Sequence, residues 1–104
     1  MVTKRDRIIN KIKKLKEVLK KNGFKIDRIY LFGSYASEKA REDSDIDVAV
    51  ISKDFCGNRF KDSLKLIHLK LKIDNRLEII PYRPENFNVN DPLVCEIKKS
   101  GIEI

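Results

Sequence analysis

Five residues carry the chemistry this sequence could perform. Asp45 and Asp47 stand one residue apart in "DIDVAVI", and Gly33-Ser34 precedes them across a ten-residue spacer. If the segment is a strand, alternation puts Asp45, Asp47, Ala49 and Ile51 on one face and Ile46, Val48 and Val50 on the other. The two carboxylates then lie roughly 6.5 Å apart at their Cβ atoms. Left alone they repel, and one pKa rises. A divalent cation resolves the conflict, and hard oxygen ligands favour Mg²⁺ or Mn²⁺, which take a few carboxylates together with substrate phosphates. Two such ions about 3.5–4 Å apart can serve both the attacking and the leaving oxygen of phosphoryl or nucleotidyl transfer.

A two-metal site usually wants a third carboxylate, and "RLEIIPY" supplies Glu78, the one acid of an otherwise apolar strand. If this strand neighbours the Asp-x-Asp strand, Glu78 can face Asp47 and help deprotonate an attacking hydroxyl. Gly33-Ser34 meets a different need. A strand that ends in Gly and turns into a helix exposes backbone amides that receive an anion. Glycine lets a phosphate approach the backbone, and the Ser34 hydroxyl adds a donor. No GxxxxGK[ST] occurs, so this is not a Walker A loop.

Each element also has an ordinary reading. Gly-Ser is a common turn, Asp45 could be a turn residue after Ser44, and Glu78 could be an edge-strand charge that discourages aggregation. Asp47 is harder to dismiss, flanked as it is by Ile46 and Val48. The combination Gly-Ser-x10-Asp-x-Asp is far more specific. It arises by chance in on the order of one in a thousand chains of this size.

The elements that must position these residues follow from periodicity. Ile8, Ile12, Leu15 and Leu19 make one apolar stripe, predicting a helix over 3–22 with Thr3 as cap and Gly23 as stop. "KIDRIYLF" (25–32) reads as an interior strand, apolar on both faces, and "SYASEKA" as about two turns of helix. After the Asp-x-Asp strand (45–51) and a loop, residues 59–73 read as a helix with Phe60, Leu64, Ile67 and Leu71 as its inner row, widened by Leu66, Leu69 and Ile73. Residues 76–82 form the third strand, with Pro81 expected to end its pairing. A single helical turn is expected at 84–87. A helix follows over 91–101, capped by Asp91 with Pro92 at its first position, and "IEI" adds an edge strand. The order is that of one α/β or α+β domain spanning 1–104.

The 104-residue chain carries 23 Lys and Arg against 16 Asp and Glu, a formal +7, which suggests an anionic partner or a solvated basic helix face. No Cys/His cluster suggests zinc, and Cys56 and Cys95 form no disulfide framework, which makes the cytoplasm the expected compartment. No apolar stretch is long enough to span a bilayer. Tyr35 reads as packing or as a nucleotide-stacking residue, and His68 as a boundary residue beside the Ile67 and Leu71 row of its helix rather than a catalytic one.

"LFGSYAS…DSDIDVAVI", with a strand-borne third acid after an intervening helix, resembles the DNA polymerase β-type nucleotidyltransferase superfamily, and within it the minimal nucleotidyltransferases. The resemblance extends over nearly the whole chain. It implies a polymerase β-like fold, a small mixed sheet flanked by helices. It implies two divalent ions, Mg²⁺ or Mn²⁺, with Asp45, Asp47 and Glu78 as ligands, and Gly33 and Ser34 on the nucleotide triphosphate. Members move a nucleoside monophosphate from a nucleoside triphosphate to a hydroxyl and release pyrophosphate.

The branch is often encoded beside a small helical HEPN protein. The resemblance therefore implies an antitoxin that moves AMP from ATP to a tyrosine of a HEPN toxin, in a homodimer or hetero-oligomer, with no direct nucleic-acid ligand. Two readings compete with it: an inactive antitoxin that only masks the toxin, and a basic nucleic-acid-binding module. Two positions depart from the family pattern. Ser37-Glu38 stands where Arg-Gly is frequent, with Lys39 or Arg41 as substitute cations, and Glu78 stands where Asp is commoner.

Overall fold

The computed structural model describes residues 3–37, 39–41 and 43–104. Its first element is helix α1 (Lys4–Lys21). Thr3 caps it reciprocally: its hydroxyl accepts from the Asp6 amide at 3.1 Å, and the Asp6 carboxylate accepts from the Thr3 amide at 3.2 Å. The stripe read from the sequence is the buried one, with Ile8, Ile12, Leu15 and Leu19 all in the core.

Strands β1 (Arg28–Phe32) and β2 (Ile46–Ile51) pair antiparallel, α2 (Arg59–Leu71) crosses over, and β3 (Leu77–Tyr82) returns parallel to β2. A 3₁₀ turn (Pro84–Asn86), helix α3 (Pro92–Ser100) and strand β4 (Ile102–Glu103) complete the chain. The sheet order is β3-β2-β1-β4, so β1 and β2 are interior, as their two-sided apolar character requires. Ile29, Leu31, Val48, Val50 and Leu77 face α1 and α2. Tyr30, Ala49, Ile51 and Tyr82 face Phe87 and the Val94 and Ile97 row of α3. This is the expected small mixed sheet flanked by helices, and the terminal edge strand is present.

Four expectations are corrected. β1 begins at Arg28 rather than Lys25: the Lys25 amide turns to the Asp54 carboxylate, 2.6 Å away, and only the Asp27 amide keeps a bond to Ile51 of β2. Residues 33–37 form turns, not two turns of helix. The Ser37 amide reaches the Gly33 carbonyl at 3.1 Å and the Lys39 amide reaches the Ser34 carbonyl at 2.9 Å, but the Ser37 hydroxyl also bonds the Ser34 carbonyl, and among the described residues no regular ladder follows.

The row Phe60, Leu64, Ile67 and Leu71 faces outward, while Asp62, Leu66 and Leu69 face the core. Both rows have helical spacing. The inner one is headed by a carboxylate that is fully buried because it accepts the Cys56 and Gly57 amides at 2.9 and 3.1 Å. Finally, pairing does not end at Pro81, since Val50 pairs with Pro81 and Ile51 with Tyr82. The Ile46 amide bonds the Arg76 carbonyl and the Ser52 amide bonds that of Tyr82. Even-numbered residues of β3 therefore address β2, and Pro81 sits where its missing N–H would point to the open edge.

Candidate functional site

The end of the sheet where β1 stops and β2 and β3 start gathers the expected residues. Asp47 is level with Phe32 on one side and with Glu78 on the other. In a parallel pair such partners point to the same face, so the third acid stands beside Asp47, as its place in the third strand predicts. Asp45 lies just ahead of β2, exposed and two residues from Asp47.

Gly33 follows Phe32 directly and closes the group from the β1 side. Its φ of +76° is a left-handed value that favours glycine. A Cβ built on it would lie 2.2 Å from Asp47 Oδ2. The Gly-Ser turn is thus laid against the Asp47 carboxylate, with no room for a side chain between them. Among the described residues, the turn's own bonds run from the Ser37 and Lys39 amides and do not use those of Ser34, Tyr35 or Ala36. Ser34 is half-buried beside them. Backbone amides of a turn, rather than the end of a helix, are what this segment can offer an anion.

Electrostatics confirm that the acids sense one another. Burial, then the negative charges of Asp45 and Glu78, push the Asp47 carboxyl above its ordinary value. Three carboxylates at one end of the sheet are the donor type that a hard divalent cation takes. Among the described residues, no three Asp, Glu, His or Cys side chains already enclose a common point, so binding a cation would draw the carboxylates together.

What the motif alone does not reveal is how its spacer is held. Tyr35 is buried in the core and is a packing residue; its hydroxyl donates to the Arg41 carbonyl at 3.2 Å and accepts from Arg76 Nη1 at 3.0 Å. Arg76 is fixed in turn by Asp74, through Nε at 3.1 Å and Nη2 at 2.8 Å, and Asp74 also accepts from Lys11 Nζ at 2.6 Å. Arg5 Nη2 donates to the Ala36 carbonyl at 2.8 Å, and the Ser44 hydroxyl accepts from the Arg41 amide. The one sequence signal for this support is an aromatic residue directly after the motif serine. Lys39 and Arg41 are exposed, Ser37 is occupied with Ser34, and Glu38 lies outside the described residues. His68 is exposed on α2, away from the acids in sequence and outside their strands.

A cleft of about 440 Å³ opens between the start of α1 and the spacer, lined by Thr3, Arg5, Tyr35 and Ala40. Its lining includes none of the five residues above.

Comparison with known proteins agrees with this geometry. The sequence pattern of the family described as "Polymerase beta, Nucleotidyltransferase" matches residues 13–104. A protein of Methanocaldococcus jannaschii, provisionally named a protein adenylyltransferase, is 31% identical over 84 residues, covering 77% of this chain and 80% of its own. A chain from a crystal structure of a toxin–antitoxin with AMP-PNP superimposes with a TM-score of 0.59 at 30% identity, over 90% of this chain and 69% of that one. The complex of a tri-AMPylated Shewanella oneidensis HEPN toxin with its MNT antitoxin contains the same fold, with a TM-score of 0.56 at 24% identity, over 92% of this chain and 70% of that one. By the extent of the family match and the arrangement of its strands, this chain belongs to the polymerase β nucleotidyltransferase family.

Proposed function

We propose that this chain is an antitoxin that transfers AMP from ATP to a hydroxyl, a tyrosine in our reading, of a HEPN toxin partner, acting in the cytoplasm as a single domain over 1–104. The observation that carries the reading is the register Phe32–Asp47–Glu78, with the Gly33 backbone pressed against the Asp47 carboxylate. The adenylyltransferase relative and the toxin–antitoxin structure with an ATP analogue support the choice of nucleotide and of partner.

In this reading Asp45, Asp47 and Glu78 hold divalent cations, two Mg²⁺ ions or Mn²⁺ in their place. Bound there, the cations would supply charge neutralisation for the transfer. The Ser34 hydroxyl and the turn amides orient the triphosphate. Glu78 accepts the proton of the acceptor hydroxyl. The acceptor oxygen bonds to the α-phosphorus, the bond from that phosphorus to the pyrophosphate oxygen breaks, and pyrophosphate leaves.

The test is label transfer from α-³²P-ATP to a HEPN-family partner, sought first in the neighbouring reading frame, in the presence of Mg²⁺. Asp47→Asn is expected to reduce transfer by on the order of 100-fold or more. It should fold at least as stably as the wild type, because burial and two like charges disfavour the charged form it removes. Gly33→Ala, which needs a left-handed alanine and displaces the Asp47 carboxylate, should cost about 100-fold. Equal transfer by wild type and Asp47→Asn would refute the reading. Full neutralisation of the toxin in cells by Asp45→Asn/Asp47→Asn would instead favour an antitoxin that only masks.

A further inference from the structure

The outward row of α2 has no role in the fold. Phe60 is 72% exposed, Leu64 51%, Ile67 39% and Leu71 55%, and the four recur on one face over the whole helix. A continuous apolar stripe of this length on a small protein marks a surface that another molecule covers.

We propose that this stripe docks the protein that carries the acceptor hydroxyl, through an apolar helical face with acidic flanks. The inference rests on the transferase reading and adds the surface that selects the acceptor. Three observations commit it to that occupant. The first is continuity with the site: a groove of about 160 Å³ is lined by Phe60, Leu64, Ile67 and Lys70 of α2 together with Glu78 and Ile79 of β3. A partner seated on the stripe therefore lies along the edge of the strand that carries the acid assigned to the acceptor proton.

The second is charge. Helical spacing puts Lys61 and Lys65 along one flank of the stripe and Lys70 along the other, and the one acid of α2, Asp62, is buried. A second copy packed face to face would set these lysines against themselves, whereas an acidic flank would pair with them. The third is the neighbouring sheet edge. The outward position of Pro81 offers no donor there, and the outward Leu77 amide is spent on the Asp74 carbonyl, so an added strand would be poorly held and a helix is the better fit.

Calorimetry between the purified chain and the HEPN-family partner used in the label-transfer test checks the proposal without depending on catalysis. Phe60→Glu/Leu64→Glu keeps good helix formers at exposed positions, so its thermal melt and its AMP-PNP affinity should match the wild type. Its affinity for the partner should fall at least about tenfold. Val89→Glu, at an apolar position of similar exposure outside α2, should leave that affinity unchanged. Lys61→Glu should weaken binding by a few-fold and flatten its dependence on salt. Undiminished partner affinity in Phe60→Glu/Leu64→Glu overturns the docking face. So does a wild-type dimer in light scattering that this variant turns into monomer, since a second copy then occupies the stripe. Tight wild-type binding that the variant loses, with no AMP transfer by either, upholds the docking face and removes the transferase reading.

Discussion

Helices α1 and α2 lie on the same side of one sheet and carry the same apolar spacing, yet that spacing means opposite things in each. In α1 the row Ile8, Ile12, Leu15 and Leu19 is the core, and the rest of the helix is mostly charged. In α2 the matching row Phe60, Leu64, Ile67 and Leu71 faces outward, and a second row led by a buried aspartate is the core. A helix with one apolar row has its orientation set by hydrophobic burial alone. A helix with two must be oriented by something else, here the Asp62 carboxylate that takes the two loop amides. The second row is then left over from folding.

The comparison can be broken first at the inner rows. Leu15→Ala in α1 and Leu66→Ala in α2 both empty fully buried positions and should each cost about 2–5 kcal/mol in urea unfolding. A small loss for Leu66→Ala alone would mean that α2 is not anchored as α1 is.

The next effect concerns Asp74, which ties Lys11 of α1 to the turn that leads out of α2. Hydrogen bonds from the Arg76 guanidinium, then from Lys11, hold its carboxyl far below the ordinary carboxylate range, against the opposing effect of burial. A depressed folded-state pKa contributes stability that is present above the unfolded value of about 3.9 and is lost as pH falls through the folded one. Asp74→Asn should therefore be less stable at neutral pH by about 1–2 kcal/mol, and its stability should fall less steeply below about pH 4. Melting both proteins across pH 2–7 reads both effects.

The smallest effect sharpens the contrast most. Leu64→Ala, on the outward row, should shift stability by no more than about 0.5 kcal/mol. A loss as large as that of Leu66→Ala would mean the row is part of the core after all.

How much the sequence discloses follows the same division. The stripe of α1, the Asp-x-Asp strand and the capped α3 are legible because each depends on neighbours within a few residues. The pairing of Glu78 with Asp47 is legible as a condition: once β2 and β3 are adjacent, alternation puts both acids on one face. The outward turn of α2 is not legible, because it depends on a carboxylate meeting amides contributed by another segment. The missing helix after Gly33 is of the same kind, since Tyr35 is held by Arg76, 41 residues further along the chain. Pro81 misleads for a simpler reason. A proline forbids pairing on one side of a strand only, and which side that is depends on the register.

The contact between Gly33 and the Asp47 carboxylate also bears on descent. The two positions are coupled: while the acid is present, a side chain at 33 must displace its carboxylate, and the left-handed φ of residue 33 favours glycine whatever stands at 47. Loss of catalysis in this lineage therefore has a preferred order, with Asp47 giving way before Gly33.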